Sequence, residues 1–217
     1  DVSSDDMRKN LVPPRESQVE PFLEMIEKVW VDTYTAEVGQ QTLRSYIPKQ
    51  ILLVGSASYN DDGSTTEGTA EGGRQIVLYS VNDFNFTLEQ IQSYAHVMHH
   101  EFAHILHQNV EYDAEFEKIT PSYSSSWMQM NDETARTKGF ITAYASSSAD
   151  EDFAEMVSIM LTNSPEDWDN MIESAGNATA VEALRKKEAI VVAYMKNNWG
   201  VDMKDFQKEV VAAIEAA

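Results

Sequence analysis

The sequence predicts an α+β fold: a short twisted sheet, one long helix beside it and a helical C-terminal half. Three observations carry this. Two stretches rich in Ile, Leu, Val and Tyr, residues 51–58 and 75–81, read as strands. Apolar residues recur at helical spacing over 17–36 and 87–110. Further helical patterns occupy 149–161, 180–197 and 202–216.

The elements follow in chain order. Residues 1–16 are polar and charged and include Pro13 and Pro14, so a flexible lead-in is expected before a single domain over 17–217. In 17–36, Val19, Phe22, Leu23, Ile26, Val29, Trp30 and Tyr34 share a stripe among Glu20, Glu24 and Glu27, the pattern of an amphipathic packing helix. The stretch between the two strands, from Asn60 to Gly73, is dense in turn residues and reads as a long mobile loop. The strand over 75–81 is a candidate for presenting its edge to an extended peptide, although an ordinary core strand fits the same residues. Thr87 opens the long helix as N-cap, with Glu89 and Gln90 in its first turn. A polar segment, 112–147, rich in Ser and Thr, leads to the C-terminal helices. Its Tyr123 and Trp127 are placed neither inside nor outside a cleft by the sequence.

Composition sets the outer limits. A chain of 217 residues, 42% hydrophobic and 10% aromatic, buries a real core, roughly 70% of its unfolded surface. Lys and Arg total 16 against 36 Asp and Glu, and a net charge of −20 repels nucleic acid and anionic lipid alike. The longest apolar runs, such as 190–195, fall far short of the ~20 residues that span a bilayer. With no cysteine, a metal must be held by His, Asp, Glu, Tyr or carbonyl groups. The first residue is Asp1 and no signal segment is visible, so a processed chain whose targeting sequence has been removed is expected.

All five histidines, His96, His99, His100, His104 and His107, fall within twelve residues of the long helix. Its centre, His100-Glu101-Phe102-Ala103-His104, is an HExxH pattern. Imidazoles one turn apart point the same way and can share a zinc ion at ~2.0–2.1 Å. Glu101 is rotated about 100° from His100, within reach of a metal-polarised water but not easily of the metal, which is the place of a general base. Met98, Phe102, Ile105 and Leu106 give the opposite side an apolar face. His96 and His104 are ~12 Å apart along the axis, so one tetrahedral zinc cannot take both with His100. His96, His99 and His107 are expected to line the cleft, to hydrogen-bond or to lie at the surface. The compact third His of the metzincin pattern is absent, since its position is Val110 and His107 stands where Gly is required.

A catalytic zinc keeps three protein ligands, so with the histidines spent on one helix the third must be acidic. Glu151-Asp152-Phe153-Ala154-Glu155 opens a helix whose Phe153, Met156, Val157, Met160 and Leu161 are apolar. Glu151 and Glu155 share a face, which suits one as ligand and the other as acceptor of a ligand histidine N–H, while Asp150, Glu151 and Asp152 also suit an acidic helix start.

An HExxH followed by ExxxE on a second helix resembles the gluzincin branch of zinc metallopeptidases, and the resemblance implies Glu151 as zinc ligand and Glu155 as the acid that orients a ligand histidine. Tyr144, seven residues before Glu151, resembles the tyrosine beside the zinc in lethal-factor-type peptidases. The blocks 99–108, 139–147 and 151–158 resemble the zinc-binding metallopeptidase lipoproteins associated with outer-membrane nutrient-import systems of the Bacteroidetes. That resemblance implies a zincin-like fold and zinc-dependent cleavage of a peptide or protein substrate. It also implies export to the surface or periplasm of a Gram-negative bacterium, an import complex as partner, and membrane attachment only through a lipid anchor outside this chain. Zinc is then held by His100, His104 and Glu151, with Glu101 as base and Tyr144 as oxyanion donor. Two other functions fit the same residues: a binding module of an import complex with a non-catalytic zinc, and a zinc hydrolase of non-peptide amides.

Overall fold

The computed structural model describes residues 11–59, 65–66, 68–71 and 75–217. The chain enters along residues 12–15, which are tied to the sheet end: Gly55 N–H donates to Val12 O at 2.8 Å and Arg15 N–H to Asn82 Oδ1 at 2.7 Å. Within the lead-in expected over 1–16, the backbone of Val12 and Arg15 finds partners on the turn at 55 and 82. Residues 1–10 lie outside the described residues.

A long helix follows in three parts: α1 (Glu16–Ile26), a π-turn (Glu27–Val31) and α2 (Asp32–Val38). The π-turn shifts the ladder and leaves carbonyls open to other donors. Val29 O is 3.2 Å from His99 Nε2 and also accepts from Thr33 Oγ1 at 3.2 Å. After Gly39, which adopts a positive φ of 80°, comes α3 (Gln40–Tyr46), packed on α2.

The strands are β1 (Gln50–Leu53), β2 (Ser58–Tyr59), β3 (Thr65–Thr66), β4 (Gly68–Glu71) and β5 (Gln75–Leu78). They form a three-stranded sheet of order β1-β5-β4 and a separate β2-β3 pair. β1 runs parallel to β5 with Ile51 opposite Ile76, and β4 runs antiparallel to β5 with Thr69 opposite Val77. This corrects two expectations. The stretch read as a long mobile loop contains β3 and β4, whose Gly and Thr residues carry no hydrophobic pattern; β3 pairs with β2, and β4 pairs because β5 offers an edge; residues 60–64, 67 and 72–74 of that stretch lie outside the described residues. And β5 is central, flanked on both sides, so the edge expected to receive a peptide is already occupied; β1 and β4 are the edge strands. Gly68 lies so near the next element that a Cβ there would collide with Val97.

That element is α4 (Leu88–Asn109), capped by Thr87 Oγ1 accepting from Gln90 N–H at 3.3 Å. Ile91, Met98, Phe102, Ile105 and Leu106 are buried. Behind them stands an aromatic layer from the first helix and the C terminus: Tyr34 meets Phe102 and Phe206, each with ring centroids 4.7 Å away, and Trp30 meets Phe102 at 5.5 Å. Edge-to-face pairs of this kind contribute beyond their buried area. The polar segment holds short helices, α5 (Phe116–Ile119) and α6 (Asp132–Thr137), and two 3-10 turns, Trp127–Gln129 and Tyr144–Ser146.

The helical C-terminal half consists of α7 (Ala149–Thr162), α8 (Pro165–Glu173), α9 (Ala178–Tyr194), a π-turn (Met195–Trp199) and α10 (Met203–Ala216). α7 packs more extensively on α4 than does any other element, and its Phe153, Met156, Val157, Met160 and Leu161 are all buried. The α4–α7 crossing is where the two polar faces meet.

Candidate metal centre on paired helices

His100 and His104 leave the polar face of α4 one turn apart, and Glu151 comes from the first turn of α7, held there by Ser148 Oγ accepting its N–H at 3.2 Å. Glu151 Oε2 lies 3.0 Å from His100 Nε2 and 3.1 Å from His104 Nε2, and the two imidazole nitrogens are 3.1 Å apart. Tetrahedral ligands at ~2.0–2.1 Å from a zinc ion are about 3.3–3.4 Å from one another, so these edges are a few tenths of an ångström from a zinc ligand triangle. Two imidazoles and one carboxylate are also the donor chemistry zinc takes. The electrostatics agree with a centre that favours positive charge. Burial alone would lower the His100 pKa, but its bonds to Glu151 and Glu155 outweigh burial and push it up to about 10. Glu151, against a burial effect that would raise it, is held well below the carboxylate range by His100 and His104.

Behind this triangle each imidazole has a fixed outer nitrogen. His100 Nδ1 lies 2.8 Å from Glu155 Oε1, which is also 3.1 Å from His96 Nε2, and Thr142 Oγ1 donates to Glu155 Oε2 at 2.6 Å. Glu155 is buried and its pKa is lowered, the cost of burial being outweighed first by His96 and then by His100. His104 Nδ1 lies 2.9 Å from His107 Nε2. With a metal on Nε2, each Nδ1 would carry the proton and donate it outward, to a carboxylate for His100 and to a neutral imidazole for His104. Burial and then the charge of His104 lower the pKa of His107, which keeps it an acceptor. His96, His100 and Glu155 form a second group of metal-ligand type, but it shares His100 and Glu155 with this network.

The remaining histidine, His99, is fully buried against Tyr34 and Val29 O, and burial depresses its pKa to about 3. Asp152, next to Glu151 in sequence, points to the other side of α7. There its Oδ2 is 2.5 Å from Lys187 Nζ and accepts from Tyr123 OH at 3.0 Å, while Lys187 also donates to Gly139 O at 2.8 Å. Tyr123 therefore supports the ligand helix from behind. Lys187 and Thr142 gave no signal in sequence; a buried lysine among Arg185 and Lys186 on a surface-type helical pattern is visible only once Asp152 is opposite it.

Tyr144 does not sit between Phe140 and Phe153. It stands over His100 with ring centroids 5.8 Å apart and leans on Trp127 at 4.9 Å, 36% exposed. Burial, then the charge and hydrogen bond of Glu151, raise its pKa, so the phenol keeps its proton. Glu101 is half-buried, and its charge raises both His100 and Tyr144.

The group His100, His104 and Glu151 can hold one metal ion. Fold and site together define an α+β protein with a candidate metal centre carried on two packed helices. Residues 1–204 match the sequence model of a family described as "putative zinc-binding metallo-peptidase", and the chain belongs to that family. It is also similar to a solved structure described as "a putative zinc-binding metallo-peptidase" from Bacteroides caccae ATCC 43185, at 34% identity and a TM-score of 0.82, covering 95% of this chain and 80% of that one. No curated protein matches the chain.

Proposed function

We propose that the protein hydrolyses peptide bonds with a zinc ion held in the gluzincin manner by His100 Nε2, His104 Nε2 and Glu151 Oε2. The observation that carries the reading is the triangle of three donor atoms with edges of 3.0–3.1 Å, flanked by Glu101 and Tyr144. A bound zinc supplies a Lewis acid that brings the pKa of a water toward ~7. Glu101 takes the proton of the attacking water and returns it to the leaving amine. Tyr144, protonated and above His100, donates to the oxygen on which negative charge develops. Glu155 and His107 fix the two imidazoles so that no reorganisation is needed as charge moves. Among the described residues the cluster has three donors, which leaves a coordination position for substrate, whereas a structural zinc closes with a fourth protein ligand. We take residues 17–217 as one catalytic domain. The resemblance drawn from the sequence supports an exported protein with a lipid anchor outside this chain, beside a nutrient-import complex.

The test is zinc stoichiometry together with digestion of a proteome-derived peptide library. Wild type is expected to hold one zinc and cleave. Glu101→Gln should keep the zinc and lose turnover, and Tyr144→Phe, which keeps the ring, should lower the rate by about 10²–10³ at unchanged zinc content. Full zinc occupancy with no cleavage anywhere in the library would favour the binding module.

A further inference from the structure

We infer that Trp127 and Met128 form the wall of a substrate subsite that takes an apolar, preferentially aromatic, side chain next to the bond to be cut. The inference rests on the hydrolase reading above and names the substrate class for that same site.

Position comes first. Trp127 packs edge-on against Tyr144, with ring centroids 4.9 Å apart and planes at 66°, and Tyr144 stands 5.8 Å from the ring of His100. The indole is therefore one ring removed from a candidate metal ligand. The same turn exposes Met128, which at 59% is the most exposed large apolar side chain among the described residues. An indole and a thioether on consecutive residues of one turn, one flat and one pliable, suit an aromatic or long aliphatic group.

The wall is also firmly mounted. Ser124 N–H donates to Ser146 O at 2.8 Å, and Ala143 N–H donates to Asp132 Oδ1 at 2.7 Å, so the backbone on both sides of Tyr144 is tied to the two ends of the Trp127 segment. Within the turn, Met130 N–H bonds Trp127 O at 3.0 Å and Gln129 N–H bonds Ser126 O at 3.1 Å. These bonds hold the backbone of Trp127 beside that of Tyr144.

Charge points to the same occupant. Residues 121–131 contain no Asp, Glu, Lys or Arg, in a chain whose net charge is −20. A neutral strip of Ser, Trp, Met and Gln beside an otherwise acidic centre favours an apolar side chain over a cationic one, which would be drawn to the carboxylates elsewhere.

The test compares two probes on the zinc-loaded protein: an N-acetyl-phenylalanine hydroxamate and its glycine counterpart, titrated by calorimetry. The metal-binding group is common to both, so the affinity ratio reads the side-chain subsite alone. Wild type should bind the phenylalanine probe about 10-fold or more tightly than the glycine probe. Trp127→Ala and, separately, Met128→Asp should bring the ratio to within about 2-fold at unchanged zinc content. Met128 is exposed, so its substitution keeps the fold even where Trp127→Ala loosens the turn. Equal affinity of the two probes for wild type, or a ratio that survives both substitutions, overturns the subsite and leaves the hydrolase reading standing. Failure of both probes to bind zinc-loaded wild type overturns the metal-centre reading and the subsite with it.

Discussion

Glu151 and Asp152 are neighbours in sequence whose side chains serve opposite sides of α7, and the difference decides what each is for. A rotation of about 100° per residue sends Glu151 to the two histidines and Asp152 to Lys187. Burial raises the Asp152 pKa to about 6, and it lowers that of Lys187, so neither charge is tolerated without the other. Removing one partner of such a pair leaves a buried uncompensated charge and costs about 3–5 kcal/mol. Asp152→Ala is therefore expected to lose roughly 6–20 °C of melting temperature, at about 2–4 °C per kcal/mol for a chain of this size, while the folded protein still takes up zinc. Glu151→Ala should lose zinc affinity, and in the metal-free state it should lose less melting temperature than Asp152→Ala, because Glu151 is partly exposed and Asp152 is not. Thermal scans and zinc titrations of the two variants check both halves. Comparable zinc loss in each would mean that α7 responds as a unit and that the two side chains cannot be assigned separate tasks.

At the scale of elements, the π-turn of the first helix and the fully buried His99 form one device: the open carbonyl of Val29 gives the imidazole a partner, and the aromatic layer excludes water around it. Burial lowers the folded-state pKa to about 3, below the ~6.5 of the unfolded chain, so the unfolded state binds more protons between those values. Stability from this group is present above pH 6.5 and is lost as pH falls toward 3. In chelator, melting temperatures of wild type should drop between pH 6.5 and 5 more steeply than those of His99→Gln, which keeps an N–H donor without the titration. His100, with its pKa raised, contributes nothing to that window because its own loss comes above pH 6.5. Parallel profiles for the two proteins would remove His99 from the acid response. The same elements show what the sequence carried. α4 and α7 were legible from apolar spacing, α4 also from the cap Thr87, and HExxH placed the two histidines on one face. α8 was missed although Ser164 and Pro165 announce it, because of its nine residues only Trp168 and Ile172 are buried. β4 was missed for a different reason: its Gly and Thr become a strand only through the edge of β5. Likewise His107 as the partner of His104, and Lys187 beneath Asp152, depend on where two helices meet, which no local pattern encodes.

For the whole molecule, a metal bound between α4 and α7 acts on folding itself, since the unfolded chain keeps Glu151 far from the histidines. The donor triangle with edges of 3.0–3.1 Å is already assembled, so binding need not first reorganise the core. Anything that binds the folded state alone stabilises it by RT ln(1 + [L]/Kd), about 2.7 kcal/mol at a free concentration one hundred times Kd. For a chain of this length, that amounts to roughly 5–11 °C in melting temperature. A net charge of −20 offers a competing source of stabilisation, because any divalent cation screens the self-repulsion of so acidic a protein. Magnesium separates the two. It takes oxygen ligands in octahedral geometry and has no affinity for a pair of imidazoles, yet it screens as well as zinc at equal concentration. Zinc is expected to raise the melting temperature of the chelator-treated protein by that amount, with magnesium giving a small part of it, and His100→Ala should reduce the zinc response to the magnesium level. Equal shifts from the two ions in wild type would mean that the protein gains only from screening and that the triangle holds no zinc of consequence.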